Sequence, residues 1–370
     1  MPKVSRSLAG SVVAITGGAR GIGRATAAAL IRQGARVAIG DIDASLVEQT
    51  AQELGAGTVG LALDVTDRES FATFLGQVEE RVGPLDVLIN NAGIMPIGPF
   101  LEETDATAQR MIDINLVGLI YGSKLALERF VPRRRGHLVQ IASAAGKMGF
   151  AGGATYCATK HAVVGLSEAL RAELRDTGVD ISVVMPVVVH TELGSGLPET
   201  RGFRAVEPED VADAIVEALQ TGRFEVYVPK SVNGLVRFGA IMPRRTIDFI
   251  GRMLKGDQVL AQPDHVARAA YESRMAETVE RAQAAAERAR AAAAQARSAA
   301  EDAQAAAEET SAEVQAVAEG GPEVPVAGNG GSEDSRAAGN GGAETAQEQP
   351  AITGNGGTSE VAQEEPAVTE

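Results

Sequence analysis

Seven short apolar runs, rich in β-branched residues, recur through the first part of the chain. Most are apolar at consecutive positions, which is typical of strands that are buried on both faces. They cover residues 12–16, 36–40, 59–63, 87–90, 138–142, 181–185 and 225–228. Amphipathic stretches typical of helices lie between them, at residues 23–33, 70–82, 107–129 and 159–175. This alternation predicts an α/β fold with a doubly wound parallel sheet of seven strands, in one domain over residues 11–230.

The composition changes towards the end of the chain. Tyr271 is the last aromatic residue, and the residues from Ala276 onward carry 18 acidic and 5 basic side chains, or −13 of the total charge of −15. Because the rest of the chain is close to neutral and has no basic stripe, a nucleic-acid partner is not expected. We predict an N-terminal arm, an amphipathic helical extension, an alanine-rich helix and an acidic disordered tail. These segments cover residues 1–10, 231–275, 276–318 and 319–370, respectively.

The amphipathic extension has two interpretations. Between residues 232 and 255, aliphatic and aromatic side chains are interleaved with arginine and lysine. Such a segment suits a lid or an oligomer contact over a substrate pocket, and it also suits a helix that lies on a membrane surface. We favour the lid or oligomer contact because Pro243 interrupts a short polar face. A peripheral membrane contact remains the alternative.

The cysteine content and the N-terminus predict a cytoplasmic protein. Cys157 is the single cysteine, so the chain forms no internal disulfide, which fits a reducing compartment. The N-terminal residues lack the apolar core of a signal peptide. The four histidines show no ligand spacing, so no metal site is expected.

A glycine-rich turn, TGGARGIG at residues 16–23, lies between the first predicted strand and the first predicted helix. Glycines let the backbone approach a pyrophosphate closely, and a helix N-terminus offers N–H groups and the positive end of its dipole. An ordinary tight turn has the same composition, so the glycines alone do not identify a cofactor site. The predicted cofactor contacts of this turn are Gly17, Arg20, Gly21, Ile22 and Gly23.

Asp41 ends the second predicted strand, eighteen residues after Gly23. A carboxylate at this position accepts hydrogen bonds from the adenosine ribose and repels a 2′-phosphate, which favours NAD. A solvated or helix-capping Asp is the alternative, and Asp43 is an equally good capping candidate. Arg20 leaves NADP open, since its guanidinium is able to hold a 2′-phosphate.

Ser143, Tyr156 and Lys160 form a candidate catalytic group. Ser143 follows a predicted strand, and Tyr156 and Lys160 are four residues apart near the start of a predicted helix, so they share a face. A free tyrosine has a pKa of about 10, and a nearby ammonium favours its phenolate. Such a pair exchanges a proton with a carbonyl oxygen while hydride moves at carbon.

These motifs together resemble the short-chain dehydrogenase/reductase family, of the single-domain type with a Rossmann-like sheet. The resemblance spans residues 10 to about 230. It adds the pair Asp64 and Val65, which would contact the adenine, and the NNAG segment at 90–93, whose Asn91, Ala92 and Gly93 would line the cofactor. Asn115 would be the fourth member of a catalytic tetrad with Ser143, Tyr156 and Lys160. Tyr156 and Lys160 would also contact the cofactor, as would Pro186 and Thr191.

One departure from the family pattern follows the sixth predicted strand. The family usually has Pro-Gly there, whereas this chain has Val187 after Pro186. Because valine is strained at the backbone angles that glycine alone adopts freely, the chain must avoid those angles at this point.

The resemblance implies an oxidoreductase that works as a homodimer or homotetramer on a small molecule. We expect an apolar or weakly polar secondary alcohol or ketone, since the segments that would border the pocket are mostly apolar. These residues are Ile94, Met95, Pro96, Met148, Phe150, Val187, Leu193 and Leu197. The alternative is a catalytically silent protein that binds the cofactor as a scaffold or regulator.

Overall fold

The computed structural model describes residues 6–198, 205–243, 245–246, 260–261, 263–264, 266–274 and 276–277. The chain divides into two units, Met1–Ala299 and Ala300–Glu370, and every described residue lies in the first. The predicted acidic tail lies outside the described residues, as does the predicted alanine-rich helix beyond residue 277. The amphipathic extension is described only in part.

Seven parallel strands form one sheet, which confirms the predicted fold class. The strands are β1 Val12–Thr16, β2 Arg36–Asp41, β3 Val59–Ala62, β4 Val87–Asn90, β5 Gly136–Ile141, β6 Val179–Pro186 and β7 Glu225–Val228. Their order across the sheet is β3-β2-β1-β4-β5-β6-β7. Each pair is parallel, with Ile15 opposite Ile39 and Ile89 in the register of the central strands. The strands fall at the predicted positions with ends shifted by one or two residues.

Helices cover both faces of the sheet. They are α1 Gly21–Arg32, α2 Ala44–Leu54, α3 Arg68–Arg81, α4 Asp105–Ile112, α5 Gly118–Arg133, α6 Ala154–Glu173, α7 Pro208–Thr221 and α8 Val232–Ile241. Residues 266–274 are also helical. None of the helices in the described part of the chain is long and apolar enough to cross a membrane.

Alternate residues of the central strand β1 supply two different apolar cores. In β1, Val12 and Ala14 belong to the core beneath α3 and α5, whereas Val13 and Ile15 belong to the core beneath α1 and α7. This alternation follows from the two-residue period of a strand, and it explains why the first four residues of β1 are all apolar and buried.

The strand order fixes where a ligand is expected. From β1 the chain crosses to β2 and β3 on one side, and then returns to β4 on the other side of β1. In doubly wound sheets, ligands bind outside the carboxyl ends of the strands at this reversal. The loops after β1 and β4 therefore border the expected site.

The predicted helix at 107–129 is in fact two helices. α4 and α5 are joined by a π-helical turn, Asp113–Val117. The extra residue in such a turn leaves the amphipathic pattern nearly continuous, so periodicity alone predicts a single helix. Turns of this kind occur frequently at functional sites, and this one contains Asn115.

Candidate active site

The glycine turn lies against the loop that follows β4. Gly17 has a φ of 64°, and a Cβ at this residue would lie 2.9 Å from the Ala92 Cα. A Cβ on Gly23 would overlap the carbonyl oxygen of Gly17. Both positions therefore require glycine, and the tight turn leaves its backbone open to a close-lying group at the N-terminus of α1.

Asn91 and Thr16 tie this turn to β4. The Asn91 side-chain amide donates to the carbonyl oxygens of Thr16 and Gly17, both at 2.9 Å. The Thr16 hydroxyl accepts from the backbone N–H groups of Asn91 and Ala92, both at 3.0 Å. The sequence pattern assigned no role to the Thr16 side chain, because its contact lies 75 residues along the chain.

Asp41 lies beside the glycine turn at the end of β2. One carboxylate oxygen accepts from the Ala19 N–H at 3.2 Å, and the other accepts from the Asp43 N–H at 3.3 Å. Burial raises the pKa of the Asp41 carboxyl, and these two N–H donors act in the opposite direction. Asp43 caps α2 by accepting from the Leu46 N–H.

The Arg20 guanidinium forms ion pairs with neighbouring carboxylates. Its guanidinium donates to Glu192 at 2.9 Å and lies 3.6 Å from Asp43. Glu192 also pairs with Arg274 at 2.7 Å, so together with Asp41 this cluster holds three carboxylates and two guanidinium groups.

The remaining predicted cofactor residues lie along the same edge. Asp64 accepts from the backbone N–H and the hydroxyl of Thr66, at 2.9 and 2.7 Å, so its carboxylate is fixed at the start of the loop after β3. Val65 is buried. Thr191, in the loop after β6, would lie 3.2 Å from a Cβ on Gly21. The structure thus brings the loops after β1 and β6 into contact.

Ser143 follows β5 and caps a short 3₁₀ turn, Ala144–Gly146. Its hydroxyl accepts from the Ala145 N–H at 3.1 Å and donates to the Pro186 carbonyl at 3.4 Å. Pro186 ends β6, so this serine connects the carboxyl ends of two adjacent strands. Val187 has a negative φ, so the backbone avoids the glycine-only region there, as expected.

Tyr156 and Lys160 lie one turn apart on the buried face of α6. The Lys160 ammonium donates to the Ile141 carbonyl at 2.9 Å and lies 5.7 Å from the centroid of the Tyr156 ring. Burial raises the pKa of the Tyr156 phenol well above its usual value, and a hydrogen bond with Ser143 opposes this. Burial also lowers the pKa of Lys160 to about 8. Each group alone is disfavoured as an ion, whereas a phenolate and an ammonium this close stabilise each other.

Asn115 joins this group through the loop after β4. Its side chain accepts from the Ile94 N–H at 2.8 Å, and donates to the Ile94 carbonyl at 2.9 Å and to Thr159 at 3.3 Å. A Cβ on Gly93 would lie 3.1 Å from the Asn115 amide oxygen and 3.6 Å from the Lys160 ammonium. The four predicted tetrad residues therefore meet around Gly93 and the carboxyl end of β5.

Apolar residues pack beside Tyr156. Ile94, Met95, Tyr156 and Cys157 belong to one buried cluster, and residues predicted to border the pocket lie against it. Those that pack there are Phe150, Leu193 and Leu197. Cys157 accepts a backbone hydrogen bond from Phe150 and is otherwise a packing residue.

Three residues beyond β7 were missed by sequence reasoning. Leu260, Arg268 and Tyr271 are buried and contact the loops that border Tyr156. Only the position of Tyr271 as the last aromatic residue gave any signal.

The described residues suit a dinucleotide. The glycine cradle at the N-terminus of α1 fits a pyrophosphate, and the Asp41 carboxylate at the next strand end fits a ribose. No cluster of three or more His, Cys, Asp or Glu side chains in the described part of the chain would hold a metal ion.

Comparisons with known proteins agree with this geometry. Residues 11–202 match the family model described as short chain dehydrogenase. The chain is 30% identical over 259 residues to human 17-beta-hydroxysteroid dehydrogenase 13, covering 68% of this chain and 86% of that protein. It is 37% identical over 210 residues to the inactive 2-(S)-hydroxypropyl-CoM dehydrogenase 2 of Xanthobacter autotrophicus, covering 53% and 91%. A crystal structure of a short chain dehydrogenase/reductase from Burkholderia phymatum in complex with NAD aligns with a TM-score of 0.58 and 25% identity, covering 63% of this chain and 93% of that one.

Proposed function

The chain belongs to the short chain dehydrogenase family, and we propose that it transfers a hydride between a nicotinamide cofactor, NAD in preference to NADP, and an apolar secondary alcohol or ketone. The observation that carries the proposal is the meeting of Ser143, Tyr156, Lys160 and Asn115 beside the glycine cradle. A shared fold alone does not carry an activity, and one relative of this chain is named inactive.

The proposed chemistry divides between cofactor and protein. A bound nicotinamide supplies or accepts the hydride. Tyr156 removes the proton from the substrate hydroxyl in oxidation and returns it to the carbonyl oxygen in reduction. The Ser143 hydroxyl, at the carboxyl end of β5, orients the substrate oxygen.

Lys160 and Asn115 support the proton transfer in different ways. Lys160 lies close enough to Tyr156 for its positive charge to favour the phenolate. Asn115 holds both backbone groups of Ile94, and so fixes the loop that lies between the tetrad and the glycine turn. Its proposed role is therefore to position the loop.

The proposed preference for NAD rests on charge. Asp41 occupies the ribose position, and Arg20 is already paired with Glu192 and close to Asp43. A 2′-phosphate would meet these carboxylates, whereas a free ribose hydroxyl would find an acceptor in Asp41.

The proposed substrate class rests on the apolar cluster around Tyr156. Pockets lined by such residues bind neutral, largely apolar molecules. The relative named for a hydroxysteroid is consistent with a substrate of this kind.

The test is a panel of secondary alcohols and ketones with NAD(H) and NADP(H), followed by the absorbance of the reduced cofactor. We expect turnover with at least one apolar alcohol. Tyr156→Phe is expected to lower kcat by roughly 100- to 10,000-fold while leaving the Kd for NAD within about twofold, because it removes only the proton donor. Cofactor binding without turnover of any member would favour the silent scaffold instead.

A further inference from the structure

Arg268 is a fully buried cation, with 0% of its side chain exposed. Its guanidinium donates to the carbonyl oxygens of Leu193 and Ser195, at 3.0 and 2.8 Å, and to that of Met95 at 3.0 Å. Glu272 lies 3.5 Å away on the next turn. Because a buried guanidinium is costly unless it is paired and hydrogen-bonded, these partners indicate a fixed position.

This arginine joins three parts of the chain. Met95 lies in the loop after β4, and Leu193 and Ser195 lie in the loop after β6. Arg268 itself belongs to what we name the C-terminal segment, residues 260–261, 263–264 and 266–274. The guanidinium therefore holds the segment against both loops that border Tyr156.

Tyr271 lies one turn after Arg268 and faces the same loops. Its hydroxyl accepts from the Met95 N–H at 2.7 Å, and the Arg268 guanidinium lies 4.9 Å from the centroid of its ring. Burial raises the pKa of Tyr271 to about 12, so the phenol is neutral at ordinary pH.

Leu260 packs against the turn that precedes Tyr156. A Cβ on Gly153 would lie 2.5 Å from a Leu260 methyl group, and Gly153 immediately precedes α6. Leu260 also belongs to the apolar cluster that contains Met95 and Tyr156. The C-terminal segment thus contacts the surroundings of Tyr156 at two separate points.

We propose that Tyr271 is a specificity-determining residue, whose ring, fixed by Arg268 and by the Met95 N–H, forms a wall of the substrate pocket beside the loop after β4. The wall limits the size of the group attached to the carbinol carbon. Because the tyrosine ring carries no charge, this wall suits a neutral substrate. This inference rests on the proposed function, since it assigns a role within the same pocket.

The test measures ligand size directly, without turnover. Isothermal titration calorimetry gives the Kd of 2-butanone, 2-decanone and the bicyclic 1-decalone for the enzyme, alone and with NADH. Tyr271→Ala removes the wall and is expected to shift the 1-decalone to 2-butanone affinity ratio towards the larger ketone by about tenfold or more. Tyr271→Phe keeps the ring and is expected to keep the ratio, while the loss of the partner of the Met95 N–H lowers the stability of the fold.

Val266→Ala is the matched control, because this side chain lies on the same helical segment and is 88% exposed. Its ratio is expected to stay within about twofold of the wild-type ratio. An unchanged ratio in a folded Tyr271→Ala protein would overturn the proposal, as would a wild-type enzyme that binds none of the ketones. Failure of the proposed function has a different outcome, in which ketones bind with the expected ratios but no hydride is transferred.

Discussion

The cofactor side and the substrate side of this site are built from different kinds of contact. On the cofactor side, backbone groups and short side chains of neighbouring strands meet, as where Asn91 bonds the carbonyls of Thr16 and Gly17. On the substrate side, Arg268 and Tyr271 reach the loop after β4, more than 170 residues earlier in the chain, and Arg268 also reaches the loop after β6, 73 and 75 residues earlier. The first arrangement follows from the sheet, whereas the second depends on two long side chains. Substrate specificity is therefore expected to change without disturbing the cofactor cradle.

A substitution in the glycine turn on the cofactor side is expected to have the largest effect, a loss of NAD affinity. Gly23→Ala places a Cβ on the Gly17 carbonyl oxygen, so the turn must deform where the pyrophosphate would bind. We expect the Kd for NAD to rise by roughly 100-fold or more, as for other displacements of about 1 Å in a binding site.

Gly76→Ala is the control for that substitution. Gly76 lies within α3, and a Cβ there meets nothing within 4 Å. Alanine is expected to stabilise the helix slightly and to leave the Kd unchanged. If the two variants bound NAD equally well, the glycine turn would not be the cofactor cradle.

A substitution on the substrate side is expected to destabilise only the residues around it. Arg268→Met leaves the carbonyls of Met95, Leu193 and Ser195 without this donor, at a cost of about 2 kcal/mol in the free energy of unfolding. Hydrogen exchange should accelerate in residues 191–198 and 266–274 while the backbone amides of the glycine turn keep their protection. Equal acceleration on both sides would mean that the two sides are one cooperative unit.

A smaller effect is expected for cofactor choice. Asp41→Asn removes a carboxylate next to the glycine turn but keeps an oxygen that accepts from Ala19. The ratio of kcat/KM for NADP to that for NAD is expected to rise about tenfold, because a like-charge repulsion is lost. Asp43→Asn, at the cap of α2, is the comparison variant. A larger rise of this ratio in Asp43→Asn than in Asp41→Asn would mean that Asp43 is the residue that discriminates NADP from NAD.

The contrast between the cofactor side and the substrate side also explains which features could be predicted from the sequence. The strands, the glycine turn and the spacing of Tyr156 and Lys160 depend on neighbouring residues, so periodicity and motif located them. Asn115 came from the family resemblance, but its π-helical turn did not, since one extra residue barely disturbs an amphipathic pattern.

Arg268 was beyond the reach of the sequence. Arginine is almost never fully buried unless it is paired, and its partners here are backbone carbonyls, which no side-chain pattern reveals. Tyr271 likewise accepts a hydrogen bond from the backbone N–H of Met95. Because this donor belongs to the backbone, the Met95 side chain gives no indication of the contact. Long-range contacts with backbone groups leave no signal in composition or spacing.

Transfer of deuterium from the carbinol carbon tests the central claim most directly. The best alcohol of the panel, labelled with deuterium at that carbon, is incubated with NAD, and the reduced cofactor is analysed by mass spectrometry. We expect labelled reduced cofactor with the wild-type enzyme and only a trace with Tyr156→Phe, although that variant still binds NAD. Labelled cofactor formed at the wild-type rate by Tyr156→Phe, or reduced cofactor without the label, would contradict this claim.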